Sequence, residues 1–300
     1  MKHIITRLKE LFQKGNILIR LIYINTGIFL IITLITIFFQ LFNKNITSIF
    51  RLLELPASFS RFTGHSWTLI TYMFIHIDIL HLLFNMLWLY WFGSMFLYFF
   101  SSKHLRGLYI IGGLFGGLLY LIAYNVFPYF QSVVGHSSMI GASASVLAIV
   151  LAVAYREPNH PVRLLLLGSI RLKYIALIVV VSDLLFITSN NSGGHIAHLG
   201  GAFAGYCFAA GLSKGIDITN WINKLIDGFL ALFNKTTYRR KRKSSMKVHH
   251  YTQRTQDYEY NANKKAQSDK VDKILDKLKK TGYESLTTEE KAILFDAGKK

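Results

Sequence analysis

A single cysteine, Cys207, among 300 residues excludes an internal disulfide and any four-cysteine metal site. Acids are scarce where chemistry would need them. Asp183 is the lone acid of its apolar run, and an aspartyl mechanism requires two carboxylates at one site. His195 and His198, three residues apart, share a helical face and could be metal partners. Neither has a Glu beside it and HExxH is absent, so zinc-protease chemistry lacks its general base. The first apolar run starts late, is long and lacks a small-residue cleavage site, so no cleavable signal is expected.

Hydrophobic residues make up 52% of the chain and aromatic ones 14%. Apolar runs of about 18 residues or more recur, the length of a membrane helix. A formal net charge of +18 could suggest nucleic acid. The charges instead cluster at the two ends and in particular loops, as in a membrane protein with cationic cytoplasmic flanks. The expected partner is therefore the lipid bilayer, with no nucleic acid.

Six spans are expected, at about 21–42, 68–98, 106–127, 139–155, 172–189 and 195–213. Gly112, Gly113, Gly116 and Gly117 form two small-xxx-small pairs in the third, and Gly201 and Gly205 another in the sixth. Such spacing lets helix backbones approach closely. Lys and Arg are dense in the N-terminal flank and in loops 101–106 and 156–173, and absent from 128–138 and 190–194. Loop 43–66, with Lys44, Arg51 and Arg61, is mildly discordant. The balance predicts both termini in the cytoplasm.

The flanks divide further. Residues 1–19 form a cytoplasmic amphipathic segment in which Ile4, Leu8 and Leu11 predict a helix on the membrane surface. Residues 20–213 are the six-helix domain. Residues 214–235 predict an interfacial helix with Ile218, Trp221, Ile222, Leu225, Ile226 and Phe229 on one face. Residues 236–270 form a basic linker whose cluster at 238–243 suits anionic lipid, with a disordered stretch beyond it. In 271–300, Val271, Ile274, Leu275 and Leu278 line one helical face. Ser285 and Thr287 or Thr288 then precede a second periodic run, which predicts a helical hairpin. It is too short for a large core and suits a cytoplasmic partner.

Polar residues inside the apolar runs are costly and demand a reason. His81 and Asn85 share one face of span two at i, i+4. Ser143 lies in GASAS, about 6 Å below the expected start of span four; His198 lies at similar depth in span six, and His81 and Asn85 somewhat deeper. All four fall in the outer half of the bilayer. A Ser and a His at matching depth suggest nucleophile and general base. An Asn amide, a second His and helix N-terminal N–H groups could stabilise an oxyanion. Gly141 would let the chain come close to a substrate backbone. Ser145 is expected to bond back to its own helix, and His76 to cap or bond a loop.

HxxxN on span two, GxSx at span four and AHLGGxxxG on span six together resemble the rhomboid intramembrane serine proteases. Here they are His81 and Asn85, Gly141 and Ser143, and Ala197, His198, Leu199, Gly200 and Gly201 with Gly205. WTLITYMFIH at 67–76 is also similar to the family's start of span two, so the likeness covers about 20–213. It implies an all-α, six-transmembrane-helix bundle with a Ser–His dyad and no acid. Ser143 would be the nucleophile and His198 the base; His81, Asn85 and the Ser143 backbone N–H would form the oxyanion hole. Substrates would be transmembrane proteins, no cofactor or metal would be needed, and the site would open to the outside of a bacterial inner membrane. The chain departs from the family at Ala144, where Gly is common, at Leu147, where many members have an aromatic, and in a first loop without a clear Trp-Arg pair. GYESLTTEEKAIL resembles a short tail on some bacterial rhomboids.

A catalytically silent rhomboid-like protein that binds or escorts membrane helices is the alternative, although such members typically lose the Ser or the His. A transporter or metal-binding protein using His76, His81, His195 and His198 would want more carboxylates. The expected dyad and the tail lie on opposite sides of about 30 Å of hydrocarbon. Truncation after residue 243 is therefore expected to leave a purified protein that still cuts a generic transmembrane substrate in detergent, checked by gel-based cleavage.

Overall fold

The computed structural model describes residues 16–76, 78–164, 168–233, 269–280 and 282–297. The chain divides into two compact units, Met1–Lys235 and Thr236–Lys300. The expected surface helix, with Ile4, Leu8 and Leu11, lies outside the described residues, and so do the basic cluster and nearly all of the linker.

The first unit is helical. Its main helices are α1 (Ile17–Leu41), α2 (Ile79–Phe99), α3 (Ser102–Val126), α4 (Ser143–Arg156), α5 (Leu172–Leu185), α6 (Ser192–Ser213) and α7 (Asn220–Phe233). Four of them, α1, α2, α3 and α6, are long and apolar enough to cross a membrane. The expected spans four and five are helices of 14 residues each, about 21 Å long at 1.5 Å per residue. The outer faces are apolar: Leu30, Ile31, Leu34 and Phe38 of α1 and Leu177 and Leu185 of α5 are exposed, as lipid-facing surfaces would be.

Span two is not continuous from 68. Thr68–Thr71 is a helical turn, Tyr72–Phe74 a 3₁₀ turn, and Ile75 is already extended. Helix α2 then restarts at Ile79, where the Asp78 side chain accepts the His81 N–H at 2.8 Å. No Pro or Gly marks this break, so the apolar pattern ran through it. His81 thus sits in the first turn of α2, shallower than expected.

Span four begins later than 139. Ser138–Met139 (β2) pairs antiparallel with Leu55–Pro56 (β1), matching Leu55 with Met139. The Ala57 N–H donates to Ser137 O at 3.0 Å and Arg61 to Gly135 O at 3.1 Å. The first loop therefore holds the approach to α4, and Ser143 is that helix's first residue. Pro161–Leu164 (β3) and Gly168–Arg171 (β4) make a hairpin between α4 and α5.

The small-residue spacing sets the centre of the bundle. A Cβ on Gly201 would overlap the Ala144 carbonyl, and one on Gly205 the Ala148 carbonyl. On α3, a Cβ on Gly116 would lie 2.6 Å from Ala144 Cβ and 2.8 Å from Ala197 O. Helices α3, α4 and α6 thus pack backbone against backbone.

Helix α7 is tied to the start of α3. Arg106 donates to Asn223 at 2.9 Å and to Asp227 at 2.7 Å, and Asn223 donates to Lys103 O at 3.0 Å. Asp217 accepts the Thr219 N–H and hydroxyl ahead of α7. Partial burial works to raise the Asp217 carboxyl, but these bonds and His104 outweigh it and hold it below the usual range. The expected apolar face splits: Ile222 and Ile226 of α7, with Ile218 just ahead of it, dock on Ile110, Ile111 and Ala204, while Trp221, Leu225 and Phe229 are exposed.

In the second unit, a helix over 269–280 (α8) and Thr288–Ala297 (α9) bury Ile274 and Leu286. Thr287 and Glu290 exchange reciprocal bonds, Thr287 N–H to the Glu290 carboxylate at 2.8 Å and Glu290 N–H to Thr287 Oγ1 at 3.3 Å. Thr287 is therefore the cap of a capping box. Lys277 of α8 pairs with Glu290 at 2.8 Å.

Gly205→Val puts side-chain volume against a carbonyl that cannot rotate away. It is expected to destabilise the first unit by about 1–3 kcal/mol, read as a lower unfolding midpoint in detergent. Gly27→Ala, where an added Cβ meets nothing within 4 Å, is expected to leave the midpoint unchanged.

Candidate active site

One cavity of about 740 Å³ is lined by His81 and Asn85 of α2, Ser143 of α4, Asp183 of α5 and His198 of α6. Four residues that the sequence singled out separately thus meet at one place. Phe84, Trp88, Ile178 and Val179 form an apolar wall beside them.

Ser143 opens α4. Ala142 in the cap position offers no side-chain acceptor, unlike the Ser, Thr, Asp or Asn usual there. The first N–H groups of a helix have no partner within it, so the Ser143 N–H and the positive end of α4 are left beside the cavity. Ser145 is fully buried, and its hydroxyl donates to Met73 Sδ at 4.0 Å rather than back into its own helix.

Gly141 precedes Ser143 with φ +120°, a region that side chains rarely adopt. Its N–H donates to Tyr72 O at 2.9 Å. A Cβ there would stand 2.9 Å from His81 Nε2 and 3.8 Å from Ser143 Oγ. The His81 ring and the Ser143 hydroxyl therefore converge on the space that this glycine leaves empty. Asn85 is buried and spends one amide N–H on His81 O at 2.8 Å, leaving the second for another acceptor.

His76 neither caps nor bonds a loop. It is 3% exposed, its ring nitrogens find no hydrogen-bond partner among the described residues, and its ring stands edge-on to His81 with centroids 5.1 Å apart. The end of the helical turn at Phe74, with Ile75 extended, turns it inward.

Asp183, seen in the sequence as a lone acid, is the least expected member. It is 4% exposed, and its Oδ1 lies 2.9 Å from His198 Nδ1 and 2.8 Å from His195 Nδ1. The three donor atoms lie within 4.8 Å of one another, a spacing that could also hold a metal ion. His198 lines the cavity and His195 does not. One signal was available in the sequence: a short α5–α6 connection makes the two helices antiparallel neighbours, so the end of one faces the start of the other. Ser143 and His198 share the cavity without a hydrogen bond between them, a looseness common before substrate binds.

A family model described as "Rhomboid domain" matches residues 63–215, which include every residue of this cavity. A second, described as "Family of unknown function (DUF6576)", matches residues 254–300. The "RHOMBOID-like protein 12, mitochondrial" of Arabidopsis thaliana is 29% identical over 211 residues, covering 67% of this chain. The chain spans 59% of that relative's length.

Gly141→Ala forces a side chain into left-handed backbone and against His81. A cost of about 1–3 kcal/mol is expected from the backbone alone, measured by unfolding in detergent, together with loss of Ser143 labelling by a fluorophosphonate.

Proposed function

The chain belongs to the rhomboid family of integral membrane proteins, and from that premise we propose that it is an intramembrane serine endopeptidase. It hydrolyses peptide bonds in or near transmembrane segments of other membrane proteins. The observation that carries this reading is the meeting of Ser143, His198, His81 and Asn85 around one cavity at an uncapped helix start.

Ser143 is the nucleophile. Its Oγ bonds to the scissile carbonyl carbon while the hydroxyl proton passes to His198 Nε2. The carbonyl oxygen becomes an oxyanion, held by the Ser143 N–H, the free Asn85 N–H and His81. Collapse breaks the C–N bond, and His198 gives its proton to the leaving amine. Water then attacks the acyl-enzyme, His198 takes a proton from it, and Ser143 leaves with that proton. Gly141 allows the substrate backbone to lie close. The wall of Phe84, Trp88, Ile178 and Val179 suits an apolar segment.

The charge pattern supports cytoplasmic termini and a cavity opening on the other side of the membrane. We place the protein in a bacterial inner membrane. The hairpin of α8 and α9 takes no part in the chemistry and docks a cytoplasmic partner.

Ser143→Ala and His198→Ala are each expected to abolish cleavage of a single-span substrate by the folded protein, with Ser145→Ala near wild type. His81→Ala and Asn85→Ala should lower kcat by about 10²–10³ while changing KM less. Steady-state cleavage in detergent checks both. Binding of a transmembrane peptide with no Ser143-dependent cleavage would instead favour a catalytically silent, helix-binding role.

A further inference from the structure

The Ser–His reading leaves one buried acid without a task. Asp183 stands near the end of α5, and the connection over 186–191 brings the first two turns of α6 across from it. His195 and His198 both direct Nδ1 at the same carboxylate oxygen, at 2.8 and 2.9 Å. Those are lengths of charge-assisted N–H···O bonds. A buried carboxylate needs such donors; Oδ1 has two, while Oδ2 has none among the described residues.

We propose that Asp183 is a positioning residue for His198, making the site a Ser143–His198–Asp183 triad with His195 bracing the acid. This inference rests on the serine-protease reading above. An imidazole serves as base only through the nitrogen that carries no proton. A carboxylate at Nδ1 keeps the proton there and leaves Nε2 as the acceptor. When His198 takes the Ser143 proton, the Nδ1–H bond becomes an ion pair, and no proton passes to Asp183. His195, set back from the cavity, occupies the same oxygen and fixes its direction.

A metal held by the three donors would have the opposite effect. It would need His198 Nδ1 free of its proton, which would put that proton on Nε2 and cancel the base. The two arrangements of one cluster are thus separable by where the His198 proton sits.

The test uses the full-length protein in nanodiscs with a single-span substrate, and ¹⁵N NMR of labelled histidines assigned with His195→Ala and His198→Ala. The wild type should show His198 as the Nδ1–H tautomer, and Asp183→Asn should move it to Nε2–H. Asp183→Asn should lower kcat at least about 100-fold, toward the roughly 10⁴-fold that loss of the acid costs soluble triads, with KM little changed. Asp183→Glu should recover part of the rate, and His195→Ala should lose less than Asp183→Asn.

An Nε2–H tautomer in the wild type would overturn the proposal even if every Asp183 variant failed to fold. So would a folded Asp183→Asn with wild-type kcat, or activity lost to a chelator and restored by zinc. A wild type with no Ser143-dependent cleavage would sink the protease reading instead, and the tautomer would still decide the Asp183 contact.

Discussion

The close backbone approach of α4 and α6 is the constraint on which the cavity depends. Gly201 and Gly205 face the carbonyls of Ala144 and Ala148 with no room for a methyl group. Ala144 follows Ser143, and Gly201 lies one turn from His198. The separation of Ser143 and His198 is therefore set by residues that carry no polar side chain. Apolar surface gives helices little reason to associate in lipid, so contact must come from fit. Gly112 and Gly116 extend the same fit to α3.

Two helix starts beside the cavity are treated in opposite ways. At α2, Asp78 takes up the His81 N–H, which fixes the turn carrying His81 and Asn85. At α4, Ala142 takes up nothing, at a cost of about 1 kcal/mol relative to a good cap. The first leaves its side chains in place; the second leaves its backbone N–H groups for a ligand. Local stability is given up where the proposed oxyanion would form, as expected of functional sites.

The polar groups at depth follow the same economy. Asn25, Tyr109 and the Met73 carbonyl satisfy one another between α1, α3 and the turn before α2. Asp183 is shared by two histidines. Exceptions among the described residues are His76, buried without a hydrogen bond at its ring nitrogens and edge-on to His81, the Tyr120 hydroxyl, His104 Nδ1 and the second Asp183 oxygen, Oδ2. The apolar belts of α1 and α5 stay exposed, and half of the α7 face joins them while its isoleucines dock inward.

The sequence by itself determined that the fold is a helical membrane bundle, which residues carry the family's motifs, and that Ser285, Thr287 or Thr288 precedes the last helix. These are local features: apolar length, i, i+4 spacing, small-residue repeats and a capping box are each read within a few turns. It also set apart His81, Asn85, Ser143 and His198 as polar groups needing a reason. Only the tertiary structure decided the end of the helical turn at Phe74 and the restart at Ile79, the β1–β2 pairing that delays α4 to Ser143, the inward turn of His76, and the meeting of Asp183 with His195 and His198. Each of these joins segments far apart in the chain or competes with an apolar pattern that continues through it. Side-chain periodicity records which face of a helix is polar. The partner that face will meet is set by how closely the backbones pack.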